Sequence, residues 1–465
     1  MCPVSPRSSS LHSQLPPNRL FTRTGEFDAT EKKPSDQSGI LLSVAGLTNV
    51  TFAQTSVSSR QLPASLLRKM KPRTARSGEA FGTTKGGVST AAATSSLPGV
   101  DSVLTWSDQF MTPGFDTSGN PQSVWPYTMV GNPPESGDQA FINSPIVPVT
   151  VDLLGPDGKA VFTTRPGGDV IKNVLGSPEF QPFIYTSGIG QFNDQMMRAE
   201  FWDRIHRHGF DNGWHNNLVP KLKSGRRMRI PFLTPAGGPA WEVFIDASGN
   251  PLLFAIDETV FGSLLFPTTV PVDNTTPVGA AELAGDITTH DISTFLFNNV
   301  VLYDTSIDNC CVIGFHSYDF EPGDRKNGNR ERRYVLNYSS WLSPGLFLFG
   351  FEDITAWSHE LAETFNDPFG DNPTPWWLEV DPFAGFAICQ NNLETGDVIE
   401  VLTSLPTYSI AMNGLTYHPQ NEALFPWFAF ESPSPAHLGA YSFPDETTLT
   451  ALSPSNLLPG CTPAP

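Results

Sequence analysis

The sequence predicts a loop-rich α+β chain in which a mixed or antiparallel sheet is packed on one side by helices. Three observations carry that expectation. With 39 Gly and 43 Pro, 82 of 465 residues favour turns, and only 16% of residues are charged, a composition that suits strands and long loops better than helical bundles. Short β-branched and aromatic runs recur through the middle of the chain. One amphipathic helix follows them, its stripe formed by Ile354, Trp357, Leu361 and Phe365 at offsets of three and four.

In chain order, residues 1–95 are rich in Ser, Thr, Pro and basic residues and lack sustained periodicity, so they read as a leader followed by a disordered linker or pro-segment. Within them, residues 39–53, with an apolar centre and a basic approach (Lys32, Lys33), read either as a secretory signal or as an incidental apolar patch in a disordered N-terminus. Residues 96–139 read as a loop-rich lead-in, 140–432 as the folded domain and 433–465 as a Pro/Ser-rich tail. Ile146–Leu153 alternates like a strand whose apolar face is Val147, Val149, Val151 and Leu153, with Pro148 marking it as an edge. A helix is expected over 191–208, with Phe192, Met196, Ala199, Trp202 and Ile205 on one face and solvated His206 and His208 at its end. Strands are expected at 241–245, 300–303, 311–316 and 334–338. The stripe helix then runs from an N-cap at Asp353 to Asn366-Asp367-Pro368.

The formal net charge is −19. Residues 1–90 hold twelve Lys+Arg and five Asp+Glu, or +7, which leaves −26 for the remainder. So acidic a body repels a phosphate backbone, which argues against nucleic-acid binding. No run reaches the eighteen or so apolar residues a membrane helix needs. The five cysteines are at 2, 310, 311, 389 and 461. Loss of the leader leaves four, compatible with two disulfides in an exported protein, and Cys310 and Cys311 are expected to bond to distant partners because a vicinal bridge strains the backbone. Glycosylation sequons begin at Asn49, Asn274 and Asn337.

The chemistry is concentrated in Ser358-His359-Glu360-Leu361-Ala362-Glu363. In H-E-x-x-H helices, imidazoles at i and i+4 point from one face at zinc and the glutamate after the first histidine handles the attacking water. Here Glu363 stands in place of the second imidazole. Zinc accepts carboxylate oxygen at a similar distance, and a site richer in oxygen also admits manganese or calcium. A three-ligand site needs a further donor. Glu394, 31 residues past Glu363, is the first candidate, on a return loop; Asp397 is the second, and Asp367 is either a ligand or a turn former before proline.

Together with Gly314-Phe315-His316-Ser317, Trp376-Trp377 and Glu394-Thr395-Gly396-Asp397, the helix resembles a group of secreted zincin-like proteins. That group carries a G-[YF]-H-S strand, an H-E-[LI]-x-E helix ending in [TN]-D-P, and a later E-x-G-D. The resemblance implies a zincin-like fold over roughly 140–430 and a metal-dependent peptidase acting on a peptide or protein substrate. By it, His359 and Glu363 would ligate the metal and Glu360 would deprotonate the attacking water. His316 would stabilise the oxyanion or be an ordinary strand histidine, and Tyr417-His418 offers another such donor. A second reading is a catalytically inactive zincin-like module that binds metal or a cell surface. A third is a carbohydrate-active protein, with Trp376, Trp377 and Trp427 as stacking platforms.

Overall fold

Strand Gln139–Leu154 organises the molecule, because its partners change along its length. On one flank its first half pairs in parallel with His215–Leu222, ending opposite Ile146, and its second half pairs in parallel with Arg226–Ile230, beginning opposite Val149. On the other flank, residues 146–148 pair with the parallel strand Ile292–Asn298. Pro148 is therefore interior and not at an edge as its type suggested. It falls in the gap where one flank changes partner, so its missing N–H interrupts no continuous ladder there. The expected face, Val147, Val149, Val151 and Leu153, is fully buried.

The computed structural model describes residues 61–70, 72–73, 99–115, 121–347, 350–381, 386–402, 406–450 and 452, and those residues belong to one compact unit. The eight-stranded sheet continues from Ile292–Asn298 to the parallel strand Glu331–Trp341 and ends on the antiparallel strand Gly314–Glu321. A five-stranded sheet joins Gln61–Pro63, Trp241–Ile245, Pro251–Asp257, Val300–Tyr303 and Cys310–Val312. The α+β class stands, with parallel pairs at the centre of a mixed sheet. The possible signal at 39–53, Asn49, Cys2 and Cys461 lie outside the described residues.

Several boundaries move. Residues 61–70, expected as linker, add a parallel strand beside Trp241–Ile245 and bury Leu67. The lead-in contains a hairpin, Thr105–Phe115 with Pro121–Val130. In the expected tail, Tyr441, Phe443 and Leu449 are buried. In each case a few apolar side chains in a polar stretch find sheet or core surface that local composition does not reveal. The helix expected over 191–208 is two helices, Phe192–Glu200 and Trp202–Ile205, separated by Phe201. His208 is exposed, and His206 stacks on Trp202 at 3.9 Å between ring centroids.

Cys310 and Cys311 are bonded to each other across a cis peptide, which corrects the expectation of distant partners. Both are buried in a cluster with Leu67, Ile313, Phe347 and Phe351. Asn337 is also fully buried, and its sequon is inaccessible in the folded chain, whereas Asn274 is exposed.

The stripe helix spans Thr355–Asn366, and all twelve of its residues are buried. Trp357, Leu361 and Phe365 enter the main core, each contributing about 1.5–3 kcal/mol by burial. Trp357 Nε1 donates to Thr294 Oγ1 at 2.9 Å, which ties the helix to the central strand. The N-cap position is Ile354, not Asp353. Asp353, at φ 44°, instead accepts from the Ile354 and His418 N–H groups and pairs with His418 Nδ1 at 2.7 Å.

Candidate metal centre

A helix buried on every face needs an explanation for its polar residues. The apolar stripe of Thr355–Asn366 meets the core, while His359, Glu360 and Glu363, with side chains fully shielded from solvent, face edge strand Gly314–Glu321 and a second helix, Thr395–Leu402. The E-T-G-D segment, expected as a return loop, is thus the first turn of a helix. Thr395 at its start and the apolar run Val398-Ile399 after it were the available signal.

Glu363 lies at the centre. Its Oε1 accepts from the Gly396 and Asp397 N–H groups at 3.1 and 3.4 Å, where the start of a helix favours an anion, and lies 3.0 Å from His359 Nε2. Its Oε2 lies 3.3 Å from His316 Nδ1. That same nitrogen is 3.5 Å from Glu360 Oε2. Donor atoms of His316, Glu363 and Glu394 fall within 4.8 Å of one another, as do those of His359, Glu360 and Glu363. Asp397 Oδ1 is 3.7 Å from His359 Nε2, and its Oδ2 accepts from Gln390 Nε2 at 2.8 Å. Glu394 and Asp397 therefore reach the helix as expected.

Asp367 does not join either group. Its oxygens accept from the Asp371 and Asn372 N–H groups at 3.0 Å each, which is the turn-former role. His418 pairs with Asp353 and Glu352 at the start of the helix. Trp377 and Trp427 are buried 6.3 Å from each other, so neither is a platform for sugars; the Trp376 side chain lies outside the described residues, as does that of Cys389.

Sequence reasoning missed three supporting residues. Glu400, one turn past Asp397, places Oε1 3.7 Å from His359 Nδ1. Gln420 donates through Nε2 to the Gly396 carbonyl and through its backbone N–H to Ser358 Oγ, both at 2.8 Å, lacing the two helices together. Glu422 accepts from Thr395 Oγ1 at 3.2 Å. None of the three belongs to a local motif.

Two glycines define the close approach. A Cβ on Gly396 would stand 2.2 Å from His359 Nδ1, and one on Gly314 would stand 2.5 Å from Glu360 Oε1. The glycines of G-F-H-S and E-T-G-D are there for room.

The electrostatics describe anions crowded around two imidazoles. Burial pushes Glu360 up to about 7, against the pull of His316 and His359. Burial and then Glu363 hold Glu394 well above the carboxylate range. For Glu363 burial acts upward too, but His359 and His316 override it and keep the carboxylate below its ordinary range. Burial would lower both histidines; instead Glu394, Glu360 and Glu363 raise His316, and Glu363, Glu360 and Glu400 raise His359.

A divalent ion is tested against these residues by what lacks a partner. Among the described residues, both ring nitrogens of His316, both oxygens of Glu360 and of Glu394, and Oε2 of Glu363 are buried with no hydrogen bond. Three of these seven, His316 Nδ1, Glu360 Oε2 and Glu363 Oε2, face one another at 3.3 to 3.5 Å; His316 Nε2, Glu360 Oε1 and both oxygens of Glu394 remain, and buried polar atoms are rarely left so. The donors, one imidazole among carboxylates, suit a zinc site rich in oxygen, with manganese or calcium as the alternatives.

Carboxylates buried beside this centre govern the pH response. Burial raises Glu179 to about 8, partly offset by the Asn193 side-chain amide, which donates to it at 2.5 Å. An unfolded glutamate ionises near 4.5, so between about 4.5 and 8 the folded state holds a proton that the unfolded state releases. Stability is therefore full below that window and falls as pH rises through it, by at most roughly 5 kcal/mol for this group. Glu179→Gln is expected to flatten the decline, seen as a higher urea midpoint than wild type at pH 9 and little difference at pH 4.5. An unchanged pH profile would remove Glu179 from this role.

Compared with known proteins, the chain matches no family model, no curated protein and no solved structure.

Proposed function

We propose that this chain is a secreted, divalent-metal-dependent peptidase with a zincin-like arrangement, its ion held by His316, Glu363 and Glu394. The observation that carries the reading is the convergence of buried donor atoms of His316, Glu363 and Glu394 within 4.8 Å of one another, with His316 Nε2 and both Glu394 oxygens making no hydrogen bond among the described residues. His359, 3.0 Å from the opposite oxygen, fixes Glu363 and with Asp397 frames the second donor group. When bound, the ion supplies Lewis acidity to a carbonyl oxygen and makes water a nucleophile near neutral pH. Glu360 takes the proton from the attacking water and delivers it to the leaving amine, a role open to a carboxylate set 3.5 Å from His316 Nδ1. Export accords with the Cys310–Cys311 disulfide, since such bonds persist in oxidising compartments.

A second reading, a binding module that holds metal without turnover, is favoured by the full burial of Glu360, Glu363 and Glu394. One set of measurements separates the readings. Plasma mass spectrometry of purified protein should find about one ion per chain, lost in His316→Ala and Glu394→Gln. The loaded protein should cleave an unstructured substrate such as β-casein, and a chelator should stop it. Metal-free wild-type protein would sink the centre itself; a loaded protein that leaves casein intact would establish the module instead.

A further inference from the structure

A second feature, independent of the metal centre, is a cavity of about 500 Å³ on the far end of helix Phe192–Glu200. Its lining includes Glu200 and the rings of Phe110, Tyr127, Phe201 and Phe425. Glu200 is 2% exposed, accepts from the Phe425 N–H through Oε2 at 3.2 Å, and has no hydrogen bond at Oε1 among the described residues. Such a carboxylate costs free energy unless something in the cavity answers it.

The protein's own cations do not. Arg204 donates to Glu135 at 2.8 Å and to the Tyr127 hydroxyl at 3.0 Å, and pairs with Asp108 at 3.1 Å. Arg207 also turns to Glu135, at 3.3 Å. The lining carries five acidic side chains against these two arginines, an acidic excess that grows once Glu200 ionises. Around Glu200 the walls are aromatic: Tyr127 and Phe425 pack with centroids 4.8 Å apart, and Phe201 and Phe425 at 5.7 Å. A carboxylate at the base, aromatic walls and an acidic rim select an organic cation with an apolar stem.

We infer that this cavity binds a primary alkylammonium of the lysine side-chain type, with its nitrogen on Glu200 and its methylenes along Phe201 and Phe425. The titration of Glu200 supports that choice over an amino terminus. Burial raises this carboxyl to about 8, so the partner must remain cationic where Glu200 is ionised; an α-amino group loses its proton near 7.7–8.0, whereas lysine keeps it to about 10.4.

Isothermal titration calorimetry of the full-length protein at pH 9 tests this with two ligands, n-butylammonium and Nα-acetyl-lysine N-methylamide. The uncharged control is Nα-acetyl-norleucine N-methylamide. Both amines should bind saturably and the norleucine compound should not. Glu200→Gln should weaken the amines by about tenfold or more, the loss of one charged hydrogen bond. Circular dichroism checks that the variant is folded, and Glu431→Gln on the rim provides a milder second variant, expected to weaken binding by a smaller factor. Binding of butylammonium alone would restrict the ligand to free amines. Equal affinity in wild type and Glu200→Gln, equal affinity for the norleucine control, or no heat at all would overturn the assignment.

Discussion

Glu360→Gln is expected to leave the fold and the bound ion in place and to lower casein hydrolysis by about 10²–10⁴-fold, the usual contribution of a positioned proton-transfer group. Glutamine keeps the volume and planarity of glutamate, and the space is tight: Gly314 leaves no room for a Cβ against Glu360 Oε1. What the substitution removes is the ability to accept a proton. His316, Glu363 and Glu394 stay in place, so metal content should match wild type. A fully active variant would transfer the base role elsewhere; a variant that loses its metal would make Glu360 a ligand.

Gly396→Ala should damage the centre without changing any charge. Its Cβ would stand 2.2 Å from Nδ1 and 2.4 Å from Cε1 of His359. The ring cannot turn away freely, because Glu363 and Glu400 hold its two nitrogens at 3.0 and 3.7 Å. Overpacking of this kind costs about 1–3 kcal/mol, and here it also pushes His359 off Glu363. The expected result is a lower denaturant midpoint at unchanged slope, together with reduced metal content. Gly168→Ala is the control. Nothing lies within 4 Å of a Cβ at Gly168, which starts the helix Gly168–Leu175, and alanine should be neutral or slightly stabilising there. Equal behaviour of the two variants would show that helix Thr395–Leu402 can shift to accommodate a methyl group.

The elements that sequence revealed are those set by local periodicity. The alternation of Val147, Val149, Val151 and Leu153 and the three-and-four spacing of Ile354, Trp357, Leu361 and Phe365 each point side chains one way whatever the surroundings. Neighbours are another matter. Pro148 was misplaced because proline reports a missing N–H, not which flank changes partner at that residue. Asp353 is of a type that suits a cap, yet His418, 65 residues away in sequence, claims its carboxylate. Strain in a vicinal pair points Cys310 and Cys311 to distant partners, yet they bond to each other and are buried with Phe347 and Phe351.

By itself the sequence determined that His359, Glu360 and Glu363 share a helix, that 311–316 is extended, which the structure divides between strands Cys310–Val312 and Gly314–Glu321 of different sheets, and that carboxylates follow at 394 and 397. The spacing of donor types along a chain fixes only which of them a single helix or strand can present together. Only the tertiary structure decided that His316 faces Glu363, that Glu394 reaches the same cluster, and that Gly396 and Asp397 direct N–H groups at Glu363 Oε1. It also decided that the polar face of the helix is sealed from water. That decision is the one that matters chemically, because in a buried setting each carboxylate left unpaired carries a large desolvation cost that a cation can relieve.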